Sequence, residues 1–135
     1  PDLAAPQSLR PGVGSLSVRP SPDPAASLAQ AVREALSREG SIGVIVPDAS
    51  VAAVSESLSH LDHRVLSPDS VEEHRLLVIP ATLAKGLEYD HVIVVEPADI
   101  VDAEPRGLAR LYVVLTRAVT SLTVLHTREL PAQLC

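Results

Sequence analysis

Apolar runs alternate along this chain with stretches whose apolar residues recur at helical spacing, and proline-rich or polar breaks divide them. Ser15–Arg19 reads as a short strand, closed off by Pro20 and Pro22. Asp23 before Pro24 supplies an N-cap followed by proline at the first helical position. Leu28, Val32, Ala35 and Leu36 then follow at helical spacing, with Gly40 as the stop. Ile42–Val46 is a continuous apolar run, as a strand covered on both faces requires. Asp48 or Ser50 can cap the next helix, whose apolar face is Val51, Val54 and Leu58. A short strand around His63–Leu66, a polar loop and a strand at Leu76–Ile79 come next. A turn or short helix over Ala81–Asp90 leads into a strand at His91–Val95, then a helix near 105–118 and a closing strand at Ser121–His126.

This alternation predicts an α/β fold: a mostly parallel sheet with helices on both faces. Sites in such folds lie in the loops beyond the carboxyl ends of the strands. Pro80–Asp90 and Glu96–Arg117, each following a strand, are therefore the places to look. Residues 1–14, rich in Pro and Gly, read as an extended lead-in, 15–130 as one domain and 131–135 as a tail.

Composition narrows the function. The 135 residues suit one α/β domain, and 46% hydrophobic with 21% charged residues reads as soluble and globular. The chain begins with proline and contains no methionine, which suggests an excised fragment or a processed N-terminus. Two tyrosines are its only aromatic residues, so a base-stacking platform for single strands has little to be built from. Its net charge of −6 provides no global field for a polyanion. One cysteine, Cys135, cannot form an internal disulfide and fits a reducing, cytoplasmic setting. No apolar run reaches membrane-spanning length.

No G-x-x-x-x-G-K-S/T run occurs, nor a dinucleotide fingerprint, nucleophile elbow or spaced metal-ligand set. The five histidines do not cluster, so no metal is expected. Two segments stand out instead. In Ala84–Asp90, the only lysine (Lys85) stands beside Gly86, which lets a backbone approach a ligand, and Glu88 offers a fixed acceptor. A tight turn with solvated charges explains the same residues. In Leu111–Ala118, Arg117 follows Thr116 at the end of an apolar helical stripe. It either complements a helix C-terminus or reaches across a cleft to a phosphate.

Together these segments resemble the fifth and sixth motifs of superfamily-one helicases of the UvrD/Rep group, A-K-G-L-E-F-D-x-V-x-x-V and L-Y-V-A-x-T-R-A. This chain has AKGLEYDHVIVV and LYVVLTRA, in the right order. The match is good over residues 75–126; residues 15–66 match as architecture. The resemblance implies a RecA-like, P-loop-NTPase-type three-layer fold lacking its own P-loop: the second, C-terminal motor domain of an ATP-dependent DNA helicase. A preceding P-loop domain would bind ATP and supply the Mg2+ ligands. Arg117 would be the arginine finger on the γ-phosphate, supported by Thr116, with Gly86 and Glu88 at the nucleotide edge. The isolated piece would have no ATPase activity. Thr82 and Lys85 are the candidates for nucleic-acid contact. The family usually has Thr-x-His before the A-K-G-L-E run; here those positions are Pro80 and Thr82, and Tyr89 stands for phenylalanine. The chain also resembles the actinobacterial branch of UvrD-like ATPases that bind and recycle RNA polymerase. The partner is then DNA or RNA polymerase, and a non-enzymatic α/β interaction domain is the third alternative.

Overall fold

Every buried strand needs partners on both edges and cover on both faces, and this chain meets both demands with one sheet. A computed structural model describes residues 15–67 and 74–130; the lead-in at 1–14, the tail at 131–135 and the middle of the polar loop lie outside the described residues. Six strands, β1 (Ser15–Pro20), β2 (Ile42–Val46), β3 (Arg64–Val65), β4 (Leu76–Pro80), β5 (Tyr89–Val95) and β6 (Ala118–His126), form a sheet of order β1-β6-β5-β2-β4-β3. Every pairing in it is parallel. The helices are α1 (Pro24–Leu36), α2 (Val51–Ser57), α3 (Pro97–Asp102) and α4 (Gly107–Leu115).

Consecutive side chains of a strand point to opposite faces, so the apolar runs feed two cores. Val44, Val78 and Ile93 pack with Leu28 and Val32 of α1 and Val54 of α2. Ile45, Ile79, Val92 and Val94 pack on the other face with Ile100 of α3 and Leu111 and Val114 of α4. Each such aliphatic side chain stabilises the fold by about 1.5–3 kcal/mol on burial. The start of α1 is as its sequence demands: Asp23 is extended, its side chain accepts from the Ala26 amide, and Pro24 opens the helix. A buried polar pair, His91 of β5 and Ser121 of β6, sits inside the sheet. His91 Nε2 donates to the Glu39 carbonyl at 2.9 Å, so Nδ1 accepts from the Ser121 hydroxyl at 2.7 Å. Both ring nitrogens of this buried histidine are thereby satisfied.

Between β4 and β5 no α-helix intervenes. β2 lies between these two strands, and the connection carries only a 3-10 turn at Ala81–Leu83. Register explains why. Leu76 and His91 both pair with Ile42, so the chain must drop from Pro80, level with Val46, to below His91. That is about 20 Å along the strands and about 10 Å across them, or about 22 Å in all. Nine helical steps would cover only about 14 Å, whereas extended ones reach about 30 Å. The segment therefore cannot be one continuous helix, and it crosses the sheet face through a 3-10 turn at Ala81–Leu83 and a turn at Lys85–Gly86.

Its arrival needs space. Tyr89 packs over Gly43 of β2, where an added Cβ would lie 2.8 Å from the ring. Two further differences from the sequence reading concern the last third. The helix expected near 105–118 is α4 alone, ending at Leu115, and a separate α3 precedes it. Gly107 makes the break: a Cβ there would meet the Val101 carbonyl at 1.7 Å. β5 and β6 also begin earlier than expected, at Tyr89 and Ala118, which pair with each other. Among the described residues no helix is long and apolar enough to cross a membrane.

Gly43→Ala is expected to destabilise the fold by about 1–3 kcal/mol through overpacking. In a Tyr89→Leu background the same change should cost distinctly less, because the colliding ring is gone. Urea denaturation of the four variants of this cycle checks it; equal costs in both backgrounds would sink the explanation.

Candidate functional site

The descending segment carries the first candidate residues from one edge of the sheet to the other. At its start, beyond the carboxyl end of β4, Thr82 is exposed and held: its hydroxyl donates to Asp48 Oδ2 at 2.5 Å and its amide to Oδ1 at 3.2 Å. The Thr82 carbonyl faces Arg110 Nη1 of α4 at 3.5 Å. Lys85 and Gly86 are exposed further along. Gly86 has φ of +83°, a conformation that disfavours any side chain, and nothing lies within 4 Å of where a Cβ would be. Leu87 is half-buried, Glu88 is exposed and Tyr89 is buried as β5 begins.

There the two motifs meet. The Tyr89 amide donates to the Arg117 carbonyl at 3.0 Å. The Arg117 guanidinium answers in kind, with Nη1 donating to the Leu87 carbonyl at 3.2 Å. Its Nε donates to the Val113 carbonyl at 2.9 Å and its Nη2 to Thr116 Oγ1 at 3.1 Å. Thr116 Oγ1 itself donates to the Val113 carbonyl at 2.9 Å. Of the two roles open to Arg117, the structure displays the helix C-terminal one: it binds the last carbonyl region of α4, where a cation is favoured. Reaching for a phosphate is not thereby lost. Guanidinium has five N–H groups and these bonds use three, so two remain.

The position of this cluster corrects the expectation about strand ends. Arg117 immediately precedes β6, and Leu87 and Glu88 immediately precede β5, so the cluster lies at the amino ends of the strands. Gly86, Glu88, Thr116 and Arg117 share that edge; Thr82 stands at the opposite one, and Lys85 lies between. Thr82 and the nucleotide candidates, close in sequence, are thus separated along the length of the strands.

Three roles had no visible signal in the sequence. Asp90, the acidic end of the first motif, is structural: Oδ2 accepts from the Ser41 amide at 2.9 Å and covers Gly40, whose φ is +118°. Arg75 fastens the same turn through the Gly40 and Leu36 carbonyls. Glu96 follows β5 with a left-handed backbone, φ 51°, and is 8% exposed. Its carboxylate accepts from the Thr127 amide and hydroxyl and from the Arg128 amide, which cannot be read from a Glu-Pro dipeptide. Burial also raises the Tyr89 phenol above its ordinary value. Among the described residues there is no group of three or more His, Cys, Asp or Glu that could hold a metal ion.

Comparison with known proteins adds the fold. No protein-family model matches the sequence, and no curated protein matches it. Solved structures do. The C-terminal domain of a possible DNA helicase from Lactobacillus plantarum WCFS1 is 22% identical with a TM-score of 0.68, over 92% of this chain and 79% of that one. Arterivirus nonstructural protein 10, a helicase, in complex with DNA, is 17% identical with a TM-score of 0.58, over 90% of this chain and 32% of its own length. The Sulfolobus solfataricus SWI2/SNF2 ATPase core in complex with double-stranded DNA is 14% identical with a TM-score of 0.58, over 87% and 28%. The six-stranded parallel sheet with flanking helices is the α/β fold of these RecA-like domains.

Gly86→Ala should cost about 1–2 kcal/mol, from the left-handed backbone alone. A urea midpoint shift at unchanged slope is the expected reading; no shift would mean the turn relaxes to negative φ.

Proposed function

We propose that this chain is the second RecA-like motor domain of a UvrD/Rep-type helicase-like ATPase, completing the ATP site of a preceding P-loop domain. The carrying observation is the joining of Leu87 and Tyr89 to Arg117 at one edge of the sheet. The two segments that match the family's fifth and sixth motifs are one hydrogen-bonded unit. Likeness of fold to helicase and SWI2/SNF2 ATPase domains supports the same reading.

The half-site fits ATP with Mg2+ in donor chemistry. Arg117 has two N–H groups left for a γ-phosphate, and Thr116 and the Leu87 carbonyl fix the plane of its fork. Gly86, next in the chain to Leu87, has open space where a side chain would stand. Glu88 lies on the exposed side of the same edge, where it can accept from a ribose hydroxyl. In this reading the Mg2+ ligands belong to the preceding domain. As charge spreads over the phosphoryl oxygens, the positioned guanidinium stabilises it. Closing of the two domains aligns Arg117, so turnover is coupled to domain movement.

Within this reading, a motor that remodels RNA polymerase is the second version, and one observation favours it. The Thr82 hydroxyl and amide, where nucleic-acid contact was expected, are both taken by the Asp48 carboxylate. An anion there repels a phosphate backbone, and the chain's net charge of −6 adds to that.

In the full-length protein, Arg117→Ala is expected to slow ATP turnover by about 10³-fold or more, and Arg117→Lys should not restore it, because the planar fork is lost. Unchanged turnover would refute the finger role. Stimulation of the ATPase by single-stranded DNA marks the unwinding version; co-purification with RNA polymerase without such stimulation marks the remodelling one. The isolated chain should hydrolyse no ATP.

A further inference from the structure

At the edge of the sheet opposite Arg117, a cavity of about 280 Å³ opens beyond the carboxyl ends of β5 and β6, between α1 and α2. Its walls are mostly apolar, with Leu28, Val54 and Leu125 among them. Four of the polar side chains that line it, Ser21, Ser57, His126 and Thr127, have hydrogens committed elsewhere, while Ser50 makes no side-chain capping bond. Ser21 Oγ donates to the Asp23 carbonyl at 3.3 Å, and Ser57 Oγ to the Val54 carbonyl at 2.7 Å. Thr127 Oγ1 donates to Glu96 Oε1. His126 Nδ1 lies 2.9 Å from the Arg128 carbonyl and must donate to it, which leaves Nε2 as an acceptor. Each of these four groups therefore has only lone pairs left to offer.

Glu96 concentrates this imbalance. It is 8% exposed, lines the cavity, and is held by backbone with a left-handed φ of 51°. Oε1 accepts from the Thr127 amide at 2.9 Å and the Arg128 amide at 3.0 Å, besides the Thr127 hydroxyl. Oε2 is buried and has no hydrogen-bond partner. A buried carboxylate oxygen without a donor is costly, and this one belongs to a side chain that lines the cavity.

We infer that this cavity binds a cationic group on a short aliphatic stem: an ammonium or guanidinium that supplies donors to Glu96 and carries no acceptor of its own. The stem lies along the apolar wall. Free alkylamines and the side chains of lysine or arginine share this chemistry. The size suits one such group, since cavities for drug-sized ligands start at roughly 300 Å³. The site is independent of the Arg117 edge and of the function proposed there.

Titration of the isotopically labelled chain with n-butylammonium, followed by amide NMR, tests it. Shifts should centre on Glu96, Thr127 and Arg128. Glu96→Gln should weaken binding by about tenfold or more, the worth of one charge-assisted hydrogen bond. Ala53→Leu, which fills the exposed mouth without touching Glu96, should weaken it as well. n-Butanol should bind far more weakly and butyrate not at all. Equal binding of butanol, any binding of butyrate at this site, or full binding by Glu96→Gln would overturn the proposal. N-acetyl-lysine methylamide separates the sources. Binding alongside butylammonium supports a protein side chain as occupant, and binding of butylammonium alone supports a free amine. Binding of neither overturns the site.

Discussion

A parallel sheet must return its chain across a face after every strand, and this one does so between β4 and β5 without a helix to carry it. The rest of the candidate site follows from that. The turns of this crossing segment close bonds from the Ala84 amide to the Ala81 carbonyl and from the Leu87 amide to the Ala84 carbonyl, and its other backbone groups must find partners elsewhere. Leu87 and Tyr89 find them on Arg117, and Thr82 finds them on Asp48. The ring that ends the descent has room only because β2 carries glycine at position 43. What resembles a sequence motif for nucleotide contact is, in the folded chain, first a solution to a crossing problem.

Much of the fold was legible because β2, β4 and β5 are buried on both faces and carry mostly apolar residues. Ile42–Val46, Leu76–Ile79 and Val92–Val95 were therefore visible as unbroken apolar runs, and the Asp23–Pro24 cap as a local signal. The region from Glu96 to Arg117 was harder. Its α3–α4 break depends on how closely Gly107 approaches Val101, which is a tertiary contact with no periodicity to betray it. Arg117 was picked out, but its two roles could not be separated, since both need the same residue at the same helix end. The strand-end rule pointed to the wrong edge for it. That rule describes domains holding a ligand by themselves, and here the amino ends of β5 and β6 carry the cluster.

The two edges differ in kind. At the amino edge a guanidinium retains donors, with a positive-φ glycine nearby. At the carboxyl edge the Asp48, Glu96 and hydroxyl groups are acceptors, and Arg128, the cation beside them, is drawn into Asp99 and Asp102, which raise its pKa further. One sheet thus separates side chains with donors to spare, at one end of its strands, from side chains that accept, at the other. Few residues are needed for this, because the sheet itself keeps the two apart.

Tyr89 has a spectroscopic consequence. The chain has no tryptophan and only two tyrosines, of which Tyr112 is 55% exposed and Tyr89 is 8% exposed. Near-ultraviolet absorption and emission of the folded chain therefore come from one solvated phenol and one enclosed phenol. The enclosed one sits on the strand end that is bonded to Arg117. The seam between the two segments carries an intrinsic chromophore, and its optical signal can be followed against a background of a single other ring.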